Sequence, residues 1–319
     1  MNKVFITDYI DNPEIEKEVL GDELCNDLND SIEVLLVWHE TIDKKFIDKF
    51  PKLKGIIRYG VGYDNIDLTY ASSKGILVCN TPDYGIDEVS DTALAMILNI
   101  ARGVSQYDFA CRSYVNNWQE NTIESIMRTS NCNIGIIGAG RIGGSLLLKA
   151  NTIGFNTFFY DPYISRGRDK MLKSIQVEQL EELLTISDII SIHTPLTHET
   201  KGMVNKSFIS KMKNSSSLVN TARGQIIRDL DDFYEPLKTG KIFSLALDVL
   251  PNEPPKNSRL IKSWKKREEW LASRLLINPH TAYYSKESYI EMRTKAANNA
   301  LRIVKGLSPL NKINTISTN

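Results

Sequence analysis

The chain has 319 residues, 42% hydrophobic and 24% charged, enough for a soluble globular protein with two separate cores. Lys+Arg and Asp+Glu both total 39, so no net field draws the molecule towards nucleic acid or acidic membrane, and neither is expected as a partner. No apolar run approaches the length of a membrane span, and MNKVFITDYIDNPEIEKE contains no secretory signal. The four cysteines show no CxxC and no metal-like spacing with histidine. Reduced thiols, a cytoplasmic location and no metal site are the expectation.

Short apolar runs alternate with helix-length amphipathic segments, the pattern of βαβ units on parallel sheets. In the first third, strands are predicted at Val4–Thr7, Val34–Trp38, Gly55–Tyr59 and Leu77–Cys79. Helices are predicted at Pro13–Leu20, Asp43–Phe50, Leu68–Lys74 and Ile86–Arg102. The polar stretch from Val104 to Asn131 reads as an irregular passage between domains. A second α/β series follows, with strands at Asn133–Ile137, Thr157–Tyr160, Ile189–His193, Ser217–Asn220, Phe243–Asp248 and Leu275–Asn278. Its helices fall at Arg141–Ile153, Val177–Thr185, Lys206–Lys211 and Asp229–Thr239, the last shortened or kinked at Pro236. The basic run RLIKSWKKR, from Arg259 to Arg267, reads as a solvated helix face, since Glu268 and Glu269 follow it. A final helix at Lys286–Lys305 is expected to return to the first domain. The domains are therefore set at 1–102 with 286–319, and 103–285.

Strand NIGII runs straight into Gly138-Ala139-Gly140-Arg141-Ile142-Gly143, which opens a helix. That is GxGxxG in the strand–turn–helix context a dinucleotide site requires. Gly138 serves the tight turn, Gly140 the approach of a pyrophosphate, and Gly143 close packing of helix on sheet. Asp161 closes the next strand, where a carboxylate can accept from both adenosine ribose hydroxyls and repel a 2′-phosphate. NAD(H) is accordingly expected over NADP(H), although Arg166 and Arg168 stand close enough in sequence to meet a phosphate. A helix cap or turn role is the competing reading of Asp161.

Reduction of a 2-oxo acid needs a cation for the carboxylate, a proton donor for the new hydroxyl, and a hydride. Arg223 in VNTARG can clamp a carboxylate bidentately. His280 in INPHTAYYS carries an imidazole suited to proton exchange near neutrality, and Glu253 in LDVLPNEPP can fix its tautomer and favour its charged form. Each alone has a structural alternative: a surface ion pair, a loop acid before two prolines, a histidine satisfying a carbonyl. Together, each after a predicted strand of one parallel sheet, they describe an active site. Among the other histidines, His193 is expected to line the cofactor cleft structurally, His39 is a weaker candidate for the cleft, and His198 reads as surface.

The blocks RYGVGYDNID, NIGIIGAGRIGG, FYDPY, IHTPLTHETKGMVN, LVNTARG, ALDVLPNEPP and NPHTAYYS resemble those of the D-isomer-specific 2-hydroxyacid dehydrogenases, in family order from about Val34 to Ile313. FYDPY, VNTARG and the tail HTAYYSKESYIEMRTKAANNALRIVKG look most like the C-terminal-binding protein branch. The resemblance implies an α/β chain of two domains, a Rossmann-type NAD-binding domain inserted into a flavodoxin-like substrate domain. It implies His280 as general acid/base, Glu253 as its partner and Arg223 as substrate anchor. A substrate loop at Tyr59–Gly62 would present the N–H groups of Val61 and Gly62, with Arg58 beside it. Cofactor contacts would map onto Gly138, Gly140, Arg141, Ile142, Gly143, Asp161, Thr194, Thr200, Thr221, Ala222 and Asp248. A homodimer is implied as well.

This chain departs from the closer branch at Tyr283, where a tryptophan is usual, which points to a more polar pocket wall. The segment from Pro255 to Leu275 is longer than usual and reads as a surface excursion, and the additional regulatory domain found in many phosphoglycerate dehydrogenases is not expected. The expected function is reversible, NAD-dependent reduction of a small 2-oxo acid to a D-2-hydroxy acid. Two alternatives stay open: an NAD(H)-sensing dimeric binding protein of corepressor type, and a reductase of a phosphonate- or phosphate-bearing oxo acid.

Overall fold

The computed structural model describes residues 2–112, 118–123, 126–271 and 273–315, and the chain divides into two compact units, 1–85 with 284–319 and 86–283. Among the described residues no helix is long and apolar enough to cross a membrane.

In the first unit the elements run β1 (Val4–Ile6), α1 (Glu14–Leu20), β2 (Leu24–Cys25), β3 (Val34–Val37), α2 (Lys44–Ile47), β4 (Gly55–Arg58), α3 (Leu68–Ser73) and β5 (Leu77–Cys79). The strands pair in parallel in the order β2-β1-β3-β4-β5, the flavodoxin-like arrangement. All four residues of β3 are buried, as expected for a strand covered on both faces. Leu35, Val37, Ile56 and Val78 form the core of one face. On the other lies the last helix of the chain, Lys286–Val304, packed against α1, β3 and β4. Gly55 admits it, because a Cβ there would lie 2.4 Å from the Ile303 side chain. Glu16, fully buried on α1, is neutralised by Arg293 of this helix and accepts from the Tyr59 hydroxyl at 2.9 Å. The helix starts at a reciprocal cap between Ser285 and Ser288.

The second unit contains α4 (Ile86–Arg102), α5 (Val104–Arg112), β6 (Asn133–Ile137), α6 (Arg141–Ile153), β7 (Asn156–Tyr160), α7 (Arg168–Leu172), β8 (Ile175–Gln176), α8 (Leu180–Ile186), β9 (Ile189–Ile192), α9 (Lys206–Lys211), β10 (Ser216–Asn220), α10 (Tyr234–Thr239), β11 (Ile242–Leu247), α11 (Arg259–Lys265) and β12 (Leu275–Ile277). Its seven strands are parallel in the order β12-β11-β10-β9-β6-β7-β8. Counted from β6, that is the Rossmann order with one strand added at the far edge. One apolar layer is built on Ile190, Ile192, Leu218 and Leu245, the other on Ile134, Ile136, Leu146 and Val219.

The unit boundary differs from the one read from composition. It falls at Ile86 and Tyr283 instead of at 103 and 285. Ala93, Met96, Ile97 and Ile100 of α4 share a core with Leu146 and Leu147 of α6, and Lys149 binds Asp87 and Asp91, so α4 belongs to the second unit. The supposedly irregular passage opens with the helix α5, while residues 113–117 and 124–125 of it lie outside those described. Pro236 sits at the third position of α10, where its missing N–H would have had no helical partner; the turn before it, Leu230–Phe233, is 3-10. The basic run is indeed helical, but α11 is anchored: Leu260 and Ile261 are buried, Asp231 accepts from both Arg259 N and Leu260 N, and Arg259 lies over the Tyr234 ring.

Candidate functional site

The strand β6 ends at the glycine turn. Gly138 has φ +90°, and a Cβ there would lie 2.8 Å from the His193 carbonyl oxygen. At Gly143 a Cβ would lie 1.9 Å from the Gly138 carbonyl oxygen, so this glycine lets α6 approach the turn. At Gly140 a Cβ would meet nothing within 4 Å. The N-terminus of α6 has no side-chain cap, and Arg141 and Ile142 occupy its first turn. Unsatisfied N–H groups at such a terminus favour an anion.

Asp161, just past β7, accepts from Ala139 N at 2.9 Å and from Tyr163 N at 3.0 Å, which ties its carboxylate to the glycine turn. After β9, His193 bonds through Nε2 to the Ser191 hydroxyl at 2.8 Å, and burial depresses its pKa to about 3, so it is neutral. Thr200 folds the following loop, donating to Pro195 O at 2.6 Å and accepting from Thr197 N. The hydroxyls of Thr194 and Thr221 are buried without a hydrogen-bond partner. Two such hydroxyls, the open face at Gly140 and the uncapped helix all flank the carboxyl ends of β6, β7, β9 and β10 and fit a dinucleotide.

Three loops at the carboxyl ends of β10, β11 and β12 carry the remaining candidates. After β10, the Asn220 side chain accepts from Ala222 N at 3.0 Å and donates to Arg223 O at 3.0 Å, fixing the turn from which Arg223 springs. Gly224 follows because a Cβ there would lie 1.9 Å from Leu250 O, in the loop after β11. In that loop Glu253 accepts from Leu250 N at 2.8 Å through one oxygen and holds His280 Nδ1 at 2.8 Å through the other. Burial raises the Glu253 pKa, but the hydrogen bond and charge of His280, Leu250 N–H and the charge of Arg223 outweigh it, so the group lies below its usual value.

His280 itself has φ +55°, uncommon for a residue with a side chain. Asp248, only 2% exposed, holds this conformation: its carbonyl accepts from His280 N, and its carboxylate accepts from Thr281 N at 2.9 Å and Ala282 N at 3.0 Å. This bracing by Asp248, named from the sequence only as a cofactor contact, and the turn made by Asn220 were missed in the sequence, where nothing but a polar residue ending a strand marks either role. Tyr283 stands edge-on to the imidazole, 6.5 Å between centroids.

Arg58 ends β4 in the first unit, and Val61 and Gly62 follow it. Gly60, at φ +115°, makes their turn, a conformation that favours glycine. The turn is pinned by Thr81 N to Gly60 O at 3.0 Å and by the Asn80 amide to Val61 O at 2.7 Å. Val61 is exposed and Gly62 half-buried.

Known proteins share this architecture. Residues 94–282, more than half of the chain, match the D-isomer specific 2-hydroxyacid dehydrogenase NAD binding domain. The chain is 30% identical to D-3-phosphoglycerate dehydrogenase of Bacillus subtilis over 98% of its own length and 59% of that protein's. It is 31% identical to D-3-phosphoglycerate dehydrogenase of Methanocaldococcus jannaschii over 97% of its length and 56% of that protein's. It thus spans less than two thirds of both curated relatives. Among solved structures, D-lactate dehydrogenase from Aquifex aeolicus, complexed with NAD and lactic acid, superposes with a TM-score of 0.80 at 29% identity, covering 96% of each chain. On this match, and with both sheets in the expected order, the chain belongs to the D-isomer-specific 2-hydroxyacid dehydrogenase family.

Proposed function

We propose that the protein is an NAD-dependent D-2-hydroxyacid dehydrogenase that interconverts a small 2-oxo acid and its D-2-hydroxy acid. The observation that carries this reading is the 2.8 Å contact between His280 Nδ1 and Glu253, with Arg223 acting on the same carboxylate. A bound nicotinamide supplies or takes up the hydride. With Nδ1 engaged by Glu253, Nε2 is the ring nitrogen left to exchange a proton with the substrate oxygen. Arg223 holds the carboxylate through its guanidinium fork and polarises the carbonyl. Arg58 and the N–H groups of Val61 and Gly62 are the further proposed substrate contacts. Tyr283, beside the imidazole, forms part of the pocket wall.

Gly138, Gly140, Arg141, Ile142, Gly143, Thr194, Thr200, Thr221, Ala222 and Asp248 make up the proposed cofactor contacts. Asp161 supports NAD over NADP, because a carboxylate at that strand end accepts from ribose hydroxyls and repels a 2′-phosphate.

The test is NADH oxidation by the full chain against a panel of 2-oxo acids. Native protein should turn over at least one of them, and His280→Ala should lower kcat by about 10²–10⁴-fold while NADH affinity stays within a few fold. Tight NADH binding with no turnover would instead favour a sensor. Equal loss of turnover and NADH affinity in His280→Ala would make the histidine structural.

A further inference from the structure

We propose that Glu16 and Tyr59 are positioning residues for the substrate: the buried Glu16 carboxylate, acting through the Tyr59 hydroxyl, fixes the turn at residues 60–62 whose N–H groups take the substrate carboxylate. The inference rests on the dehydrogenase reading, which makes that turn a substrate contact, and concerns only the first unit.

The turn leaves β4 through Tyr59. Gly60 O accepts from Thr81 N at 3.0 Å, and Val61 O accepts from the Asn80 amide at 2.7 Å. A trans peptide points its N–H opposite to its carbonyl, so the N–H groups of Val61 and Gly62 turn away from Thr81 and Asn80. That orientation serves a carboxylate only while the turn keeps its place, because hydrogen bonds weaken steeply with misalignment. Gly60, at φ +115°, has no side chain to wedge the turn, and Val61 is exposed. Tyr59, 1% exposed, is the neighbour whose side chain reaches into the interior.

Tyr59 is held at both ends. Its backbone N donates to Val37 O on β3 at 2.8 Å, and its hydroxyl donates to Glu16 Oε1 at 2.9 Å. Burial and the Glu16 charge push the phenol well above its ordinary pKa, so the hydroxyl keeps its proton and remains the donor. Glu16 is aimed in turn by Arg293, whose Nε donates to Oε1 at 2.8 Å and whose Nη2 donates to Oε2. The same Nη2 donates to Asn12 O at 2.8 Å, which ties the guanidinium to the chain entering α1. Both carboxylate oxygens are thereby directed, one of them at the Tyr59 hydroxyl.

Stability alone does not call for these groups. Apolar side chains of similar volume often serve a core as well as a buried ion pair, because the pair loses its hydration. Apolar contact is non-directional, however, whereas a fully satisfied buried network fixes its members in one arrangement. What Glu16 and Arg293 add is direction, delivered at the residue from which the turn springs.

The test is calorimetric titration of oxamate, an unreactive isostere of a 2-oxo acid, into the NADH-saturated full chain, with kinetics on the acid that native protein turns over. Tyr59→Phe keeps the ring and removes the hydroxyl. It should weaken oxamate about tenfold and raise KM by the same factor, while kcat and NADH affinity stay within about twofold. Glu16→Leu together with Arg293→Met removes both charges at once and should weaken oxamate at least as much. Adding Tyr59→Phe to that pair should cost no more than about twofold further, since the hydroxyl has already lost its acceptor. Unchanged oxamate affinity in Tyr59→Phe, an equal fall in kcat and NADH affinity, a second full loss in the triple variant, or no oxamate binding by native protein would each overturn the positioning role. Native protein that binds oxamate but oxidises no NADH would sink the dehydrogenase reading alone, and the oxamate affinities would still decide the role of Tyr59.

Discussion

Asp248 lies beneath the loop that carries His280, and its carboxylate is stripped of water yet supplied with the N–H groups of Thr281 and Ala282. Burial raises its pKa, the two N–H groups and His280 lower it, Glu253 raises it, and the balance is upward. A carboxyl whose folded value is raised favours folding below its ordinary value, and that advantage is lost as pH rises through the folded value. Asp248→Asn keeps an acceptor for the same N–H groups while removing the charge. Its melting temperature should therefore exceed the native one by about 2 °C at pH 7 to 8, with the gap closing as pH falls towards 4. A constant gap, or a deficit at neutral pH, in thermal melts across that range would refute this account. That Arg223, Glu253 and His280 stand on the loops after β10, β11 and β12 was legible in the sequence, because each follows a predicted strand. The bracing by Asp248 and the positive φ of His280 were not, since both depend on how three separate loops meet.

Among the elements, β6, its turn and α6 show how one motif divides fold from function. Residue spacing assigns the three glycines their separate duties, and the space around each tells them apart. A Cβ at Gly143 collides with the Gly138 carbonyl, whereas one at Gly140 meets nothing. Gly143→Ala should therefore destabilise the second unit by roughly 1–3 kcal/mol or more through overpacking. Gly140→Ala should leave the melting temperature within about a degree and weaken NADH at least tenfold, about 1.4 kcal/mol. Titration and melting of both variants check this; NADH affinity unchanged in Gly140→Ala would remove the turn from the cofactor site. The long elements were legible: α4, α6 and β6 have the same limits in sequence and structure, because their apolar periodicity runs unbroken. The two-residue strands β2 and β8 escaped, being too short to carry a period, as did α5, whose polar residues hide a partly buried face.

At the level of the whole molecule, insertion of residues 86–283 into a unit made from both chain ends gives the two parts unequal independence. The inserted unit draws its seven strands and both core layers from one continuous stretch. The outer unit cannot be assembled from residues 1–85 alone. Arg293 of the last helix neutralises Glu16, Asn299 bonds the chain at Leu310, and Asn314 accepts from Val78 N on β5. Without that tail Glu16 would lose its counter-charge, and α1, β3 and β4 would lose the helix that covers them. A polypeptide of residues 86–283 should accordingly unfold cooperatively and bind NADH within about tenfold of the full chain. Residues 1–85 alone should lack a cooperative transition. Circular dichroism melts and nicotinamide fluorescence on the two fragments decide the matter. A non-cooperative 86–283 fragment would mean that the cofactor unit leans on the outer one for its fold, and a cooperative 1–85 fragment would mean that Glu16 finds another way to shed its charge.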